Sequence, residues 1–132
     1  MKIIVMGCGR VGSQVSLLLT ERGHSVTVID HKDQDAALRL GPGFKGKIIN
    51  GIGFDQSILL QAGIKQADAF IAASSSDNAN IVGARTAKNI FGVPRVVARL
   101  FDPRRAEIYE RLGLRTISTT TMGSERIYEL IT

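Results

Sequence analysis

Three glycines near the N-terminus and an aspartate further along are the residues whose types and spacing most clearly suggest a chemical role. The segment Gly7-Cys8-Gly9-Arg10-Val11-Gly12 has the pattern G-x-G-x-x-G, and Asp30 follows its last glycine by eighteen residues. The first glycine permits a tight turn, the second lets a pyrophosphate approach the backbone, and the third lets a helix pack closely on a sheet. A helix that begins here offers free N–H groups and a partial positive charge to phosphates.

Asp30 ends a predicted strand and indicates which nucleotide the pattern would accept. A carboxylate at this place can accept hydrogen bonds from both ribose hydroxyls. It would also repel a 2′-phosphate, so NAD or an adenosine nucleotide is favoured over NADP. His31 and Lys32 could place positive charge nearby, and the alternative for both is a solvated surface.

The single cysteine, Cys8, lies inside the glycine turn. It cannot form an internal disulfide or a metal cluster, and it fits a reducing cytoplasm. A thiol beside a helix N-terminus can have a lowered pKa. The sequence offers no identifiable base as its partner, so we expect Cys8 to pack rather than to react.

These residues must be positioned by strands and helices that alternate along the chain. Short apolar runs predict the strands, and apolar residues at helical spacing predict the helices. The predicted strands are Lys2–Met6, Ser25–Asp30, Lys45–Asn50, Ala67–Ala73, Arg95–Phe101 and Leu114–Ser118. The predicted helices are Arg10–Arg22 with an apolar face of Val11, Val15, Leu18 and Leu19, Asp33–Leu40, Gln56–Ala62, one that Asp77 caps and that stops at Gly92, one from Asp102-Pro103 to Gly113, and Thr121–Ile131.

This alternation predicts an α/β fold with a Rossmann-type, doubly wound sheet of six parallel strands in the order 3-2-1-4-5-6. Parallel strands need crossover connections, and helical crossovers cover both faces of the sheet. The length of 132 residues fits one domain that spans residues 1–132.

Composition excludes several classes of protein. The hydrophobic fraction of 44% is too high for a disordered chain, and no apolar run approaches the ~20 residues of a membrane span. Aromatic residues make up 5%, which is few for a protein that stacks single-stranded nucleic acid. The stretch 85–115 holds eight basic and three acidic residues, which accounts for the net charge of +5. A phosphate-bearing ligand, an acidic partner and nucleic acid are all compatible with that charge.

The whole chain resembles the N-terminal nucleotide-binding lobe of the potassium-conductance regulators, the RCK or TrkA-N (KTN) family. Five features carry this resemblance. The turn at Gly51–Asp55 with the segment after it, and the Ser74–Asn80 segment, are more specific than a dinucleotide fingerprint. The features are Gly7–Gly12, Asp30, the Gly51–Asp55 turn leading into Leu59–Ile64, the Ser74–Asn80 segment, and Val97-Ala98-Arg99 with Asp102-Pro103 beyond it.

The resemblance implies roles for further residues. Arg10 would lie beside the ligand phosphates, and Arg99 would supply another phosphate contact. The end of the fourth strand would line the nucleotide through Ala73, Ser74 and the neighbouring Ser75.

Two departures from the family pattern also bear on the ligand. Gly51-Ile52 would lie at the adenine end, but many relatives have an acid where this chain has Ile52, so base selectivity would rest on backbone groups. Many relatives also carry Pro-Glu where this chain has Thr119-Thr120. Because that glutamate assists a metal ion beside ATP in some of them, its absence argues against a metal-assisted response, and we expect no metal site.

The function implied by the resemblance is a regulatory domain, not an enzyme, that binds NAD(H) or ADP/ATP. It would belong to a cytoplasmic subunit, peripheral at the inner face of the membrane, that gates a potassium transporter. Full-length relatives usually carry a smaller C-terminal lobe as well. Ile127, Leu130 and Ile131 share one face of the last helix, which favours a homodimer or larger ring.

The sequence gives less support to two other functions. A nicotinamide-dependent dehydrogenase needs a substrate pocket with a proton donor or acceptor. Only one helix follows the sixth predicted strand, and Tyr109 is followed four residues on by Gly113 rather than by lysine. A nucleic-acid protein is not favoured either, because no RNA-binding signature accompanies the basic stretch.

Overall fold

The computed structural model describes residues 1–31 and 33–132, without the side chains of residues 33 and 34. Lys32, considered above as a charge near Asp30, lies outside the described residues. The strands are β1 (Lys2–Met6), β2 (Ser25–Asp30), β3 (Lys47–Asn50), β4 (Ala69–Ala72), β5 (Arg95–Arg99) and β6 (Arg115–Ile117). The α-helices are α1 (Arg10–Glu21), α2 (Asp33–Leu40), α3 (Gln56–Gln61), α4 (Asp77–Arg85), α5 (Pro103–Arg111) and α6 (Thr119–Ile131), with a 3₁₀ turn at Ile64–Gln66 and a π-helical turn at Thr86–Ile90.

The strands form one parallel sheet in the order β3-β2-β1-β4-β5-β6, so the predicted fold class and strand order are confirmed. Met6, the last residue of β1, is in register with Ile29 of β2 and with Ala72 of β4. The order reverses between β1 and β4. In such sheets ligands bind in the crevice beyond the carboxyl ends of the strands at this point.

Both faces of the central strand β1 are buried from Ile3 to Met6, which explains why this part of its sequence is apolar without a break. Successive side chains of a strand point to opposite faces. Ile4 and Met6 therefore enter one core cluster, whereas Ile3 and Val5 enter the other. The first cluster also contains Leu59, Phe70 and Ala98, and the second contains Val26, Val28 and Leu40.

Helix α1 approaches the sheet through small residues, and only part of the predicted apolar face, Val15 and Leu19, packs against the second core cluster. Its buried residues are Gly12, Ser13 and Ser16, and Leu18 is 45% exposed. The reason is the close approach of helix and turn, since a Cβ on Gly12 would meet the carbonyl oxygen of Gly7. The predicted face of Val11, Val15, Leu18 and Leu19 is consequently only partly covered.

The start of α4 differs from the prediction. Its N-cap is Ser76, whose hydroxyl accepts a hydrogen bond from the Ala79 N–H at 3.2 Å. Asp77 is the first helical residue, and its carboxylate instead accepts from the N–H groups of Phe101 and Asp102 at 2.8 and 3.1 Å. Both residue types can cap a helix, so the sequence could not show that Asp77 is used by another loop.

Other boundaries shift by a few residues. Strand β3 begins at Lys47 rather than Lys45, and α6 begins at Thr119 because Ser118 is its N-cap. The predicted start of α5 is confirmed, with Asp102 as N-cap and Pro103 at the first helical position.

Helix α6 lies apart from the core. Residues 120–132 are all exposed. Among the helices of the described ranges, none has the length and apolar content needed to cross a membrane.

Candidate functional site

The glycine turn connects β1 to α1 and leaves open space above its second glycine. Gly7 has a φ of +96° and donates its N–H to the Ile29 carbonyl oxygen at 2.8 Å. A Cβ on Gly7 would lie 2.6 Å from the backbone N and Cα of Ser74, whereas a Cβ on Gly9 would meet nothing within 4 Å. Gly9 is the N-cap of α1 and has no side chain to satisfy the first N–H groups of the helix. The turn therefore has the features of an anion cradle.

Asp30 ends β2 and faces the glycine turn. Its Oδ2 accepts a hydrogen bond from the Cys8 N–H at 2.7 Å, which joins the turn to the second strand. His31 is mostly exposed, with its Nδ1 3.6 Å from Oδ1 of Asp30. The carboxylate is thus at the strand end where the sequence predicts contact with a ribose diol.

Cys8 is buried between the turn and α2. Its Sγ lies 4.0 Å from the Ala36 carbonyl oxygen. Burial, with a further contribution from the negative charge of Asp30, raises the pKa of the Cys8 thiol from 9.0 to about 11. A thiol with this pKa is protonated and unreactive at neutral pH, which agrees with the predicted packing role.

The ends of β4 and β5 meet on the other side of the turn. The carbonyl oxygen of Ser74 accepts a hydrogen bond from an Nη of Arg99 at 3.1 Å. The Arg99 guanidinium also lies over the ring of Phe101, 4.6 Å from its centroid. Burial lowers the pKa of Arg99, although the nearby negative charge of Asp77 opposes this effect. Arg99 is therefore a partly desolvated cation.

These parts enclose one cleft of about 560 Å³ at the carboxyl ends of the strands. Most of the predicted site residues line it, so the chain brings together positions that are far apart in sequence. Those residues are Gly7, Cys8, Gly9, Asp30, His31, Gly51, Ile52, Ala73, Ser74, Ser75 and Arg99.

Three predicted residues do not line the cleft. Arg10 and Val11 line a separate groove on the outer surface of α1. Gly12 is buried beneath the turn. It allows α1 to approach the turn closely and does not line the cleft.

Sequence reasoning missed several lining residues. Asp35 and Arg39 of α2 face the cleft, and their i, i+4 spacing places them on the same side of the helix. The helical periodicity of α2 could have identified both residues once Asp30 was assumed to line the cleft beside this helix. The others are Met6, Ile29, Gly53, Phe54, Ser76 and Ala79.

The two ends of the cleft differ in chemistry. Ile52 and Phe54 have exposed apolar side chains at the end near Asp30, suited to the face of a planar base. At the other end Nε of Arg99 is buried and, within the described part of the chain, has no hydrogen-bond partner. A buried donor without an acceptor is costly, and Arg99 lines the cleft, so its guanidinium is a candidate partner for a ligand oxygen. The described residues include no group of three or more His, Cys, Asp or Glu side chains that could hold a metal ion.

Comparison with known sequences identifies close relatives of the chain. A sequence model of the TrkA-N domain matches residues 3–120. The "Trk system potassium uptake protein TrkA" of Streptomyces coelicolor is 50% identical over 127 residues, covering 96% of this chain and 56% of that protein. A TrkA homologue of Pyrococcus abyssi is 36% identical over 112 residues, covering 85% of this chain and 49% of that protein. The chain thus spans about half the length of these relatives.

Solved structures share the fold at low sequence identity. The TrkA-N domain of the inner membrane protein ybaL from Escherichia coli superposes with a TM-score of 0.86 at 16% identity, covering 99% of this chain and 96% of that one. The Kef C-terminal domain of Shewanella denitrificans, in an AMP-bound form, gives 0.81 at 24% identity, covering 96% and 77%. The GsuK channel bound to NAD gives 0.71 at 22% identity, covering 88% and 21%, and the same channel has also been solved bound to ADP.

Proposed function

The chain belongs to the TrkA-N domain family, and from this premise we propose that it is the nucleotide-binding regulatory domain of a potassium uptake system. The observation that carries the proposal is the cleft at the reversal of strand order. There Asp30, the glycine turn and Arg99 face one space. This is where a doubly wound sheet binds nucleotides.

The proposed ligand is an adenine nucleotide that lies across the ends of β2, β1, β4 and β5. Its ribose diol binds the carboxylate of Asp30, with the base against Ile52. Its phosphates lie over Gly9 and the N-terminus of α1, where the first N–H groups of the helix point. The distal part of the ligand reaches Ser74, Ser75 and the orphaned Nε of Arg99.

NAD(H) and ADP or ATP are the proposed ligands. Support comes from the carboxylate of Asp30, which suits a free diol and disfavours a 2′-phosphate. Further support comes from structures of similar fold that were solved with AMP, NAD and ADP. Binding would regulate by preferring one of two arrangements of an assembly, since a ligand shifts an equilibrium only through such a preference.

The proposed partners are a second copy of the chain and a membrane potassium-transporter subunit, which would hold the domain at the cytoplasmic face. The first rests on α6, where Ile127, Leu130 and Ile131 are 63%, 67% and 79% exposed. An apolar stripe of this kind marks an association surface. The second rests on the relatives named as potassium uptake proteins.

A panel of NAD, NADH, NADP, AMP, ADP and ATP in a thermal-shift assay tests the nucleotide proposal. Ligand at a hundred times its Kd adds about 2.7 kcal/mol to the free energy of unfolding. We expect NAD(H) or ADP/ATP to raise the melting temperature and NADP to raise it less. The proposal would be refuted if no nucleotide of the panel shifted the melting temperature, even at the highest concentration at which it is soluble.

A regulatory domain also differs from a dehydrogenase in that it does not oxidise NADH in repeated turnovers. With NADH and small carbonyl compounds, absorbance at 340 nm (a property of NADH) is expected to stay constant. Multiple turnovers would instead establish the oxidoreductase alternative.

A further inference from the structure

Asn80 ends the Ser74–Asn80 segment, but the sequence assigned it no role in the site. It is a fully buried polar residue in the first turns of α4. Its side chain makes four hydrogen bonds. Oδ1 accepts from the N–H and the hydroxyl of Ser74 at 2.9 and 2.7 Å. Nδ2 donates to the carbonyl oxygens of Ser74 and Arg99 at 3.0 and 2.8 Å. An amide has two N–H donors and an oxygen with two lone pairs, so these four bonds use its whole capacity.

These bonds hold the ends of two strands in one arrangement. Ser74 follows β4, and Arg99 ends β5. The backbone of Ser74 in turn lies against the glycine turn, because a Cβ on Gly7 would be 2.6 Å from its N and Cα. Asn80 thus sets the wall that faces the proposed phosphate cradle.

The same residue also constrains the direction of the Arg99 side chain. Arg99 donates to the Ser74 carbonyl oxygen that Asn80 holds, and Asn80 holds the Arg99 backbone as well. Three residues before Asn80, at the first helical position, the carboxylate of Asp77 accepts a hydrogen bond from the N–H of Phe101, whose ring lies under the Arg99 guanidinium. The N-terminal turn of α4 therefore restrains Arg99 at three points, namely its backbone, the Ser74 carbonyl oxygen that its guanidinium contacts, and the ring of Phe101 on which the guanidinium stacks.

We propose that Asn80 is the positioning residue for the distal half of the nucleotide site. It keeps Ser74 and Arg99 where Nε of Arg99 meets a ligand oxygen beyond the ribose, and it has no part in binding the diol at Asp30. This inference rests on the proposed function. It distinguishes Asn80 from a buried asparagine that only stabilises the core, because only a positioning residue discriminates between short and long ligands.

The test compares three probes of increasing reach, namely adenosine, ADP and NAD. The variants are Asn80→Ala and the isosteric Asn80→Asp, which keeps an acceptor for Ser74 and loses both donated bonds. Asn89→Ala is the matched control, since Asn89 is an exposed asparagine in the following turn. Dissociation constants are measured by calorimetry for ADP and NAD and by NMR titration for adenosine.

For both Asn80 variants we expect Kd to rise about tenfold or more for ADP and NAD and less than about twofold for adenosine, as when one hydrogen bond to a ligand is misplaced. The control should bind all three as the unsubstituted chain does. An equal loss for all three probes, or no loss for any, would overturn the positioning role.

A measurement on the unsubstituted chain keeps the inference testable if the variants do not fold. The side-chain amide resonances of Asn80 and the Nε–H resonance of Arg99 should shift with ADP and NAD and stay in place with adenosine. Shifts that do not depend on the length of the ligand would contradict the inference. Absence of binding by the unsubstituted chain would refute the proposed function itself, and this is seen before any variant is made.

Discussion

Replacement of Asp30 by alanine removes a hydrogen bond within the protein together with the proposed contact to the ligand. The carboxylate accepts a hydrogen bond from the Cys8 N–H at 2.7 Å, and in the proposed complex it also accepts bonds from the ribose diol. Hydrogen bonds to a charged group contribute about 1.5–3 kcal/mol. Loss of the diol contact should therefore raise Kd for NAD or ADP by about 10- to 150-fold.

The bond to Cys8 requires a control, because its loss also loosens the turn. Asp68 offers a close match at the opposite end of β1, where its Oδ2 accepts from the Lys2 N–H at 2.7 Å. Asp68→Ala removes the same kind of bond away from the cleft. Both variants should lose thermal stability, but only Asp30→Ala should lose affinity for nucleotide.

Asp30→Asn separates charge from geometry at the same position. Its amide oxygen can still accept from the Cys8 N–H, while the repulsion of a 2′-phosphate is gone. We expect a smaller loss of affinity for NAD than in Asp30→Ala and improved tolerance of NADP, both measured by isothermal titration calorimetry. An unchanged Kd in folded Asp30→Ala would remove Asp30 from the site and refute this reasoning.

Two further predictions concern the thiol and the last helix. Because the folded state raises the pKa of Cys8 from 9.0 to about 11, it favours the neutral thiol; the stability this contributes is present below pH 9 and is lost as pH rises towards 11. Urea unfolding should show this loss in the unsubstituted chain and a smaller one in Cys8→Ala; equal pH profiles would disprove it. At micromolar concentration, light scattering should give at least twice the chain mass of 14.3 kDa, and Leu130→Glu should shift it towards monomer with nucleotide affinity retained. A monomeric unsubstituted chain would rule out the proposed dimer.

The sheet could be predicted because each local pattern agrees with the global fold. The unbroken apolar run of β1 is what a strand buried on both faces requires, and the glycines of the turn are needed where Gly7 approaches Ser74. The position of Asp30 beside the glycine turn could be predicted for the same reason, since the end of β2 is next to the end of β1 in this strand order.

Features that depend on contacts between distant segments could not be predicted. Asp77 was expected to cap α4, but its carboxylate binds the loop after β5, and Ser76 caps the helix instead. Val15 and Leu19 of the predicted face of α1 pack against the core, but the fully buried residues of this helix are small ones that were not predicted, because close approach to the sheet selects them. Asn80 ends the Ser74–Asn80 segment of the resemblance, but its role could not be predicted, since its four bonds join segments whose distance is set only by the folded chain.

Chemical-shift mapping of backbone amides during titration with NAD or ADP tests the central claim most directly. The claim is that an adenine nucleotide binds across the carboxyl ends of the strands. The amides of Cys8, Gly9 and Ser74 should shift, and those of Lys2 and Ala67 at the opposite edge should not. Shifts at the opposite edge alone, or none with either nucleotide, would contradict it.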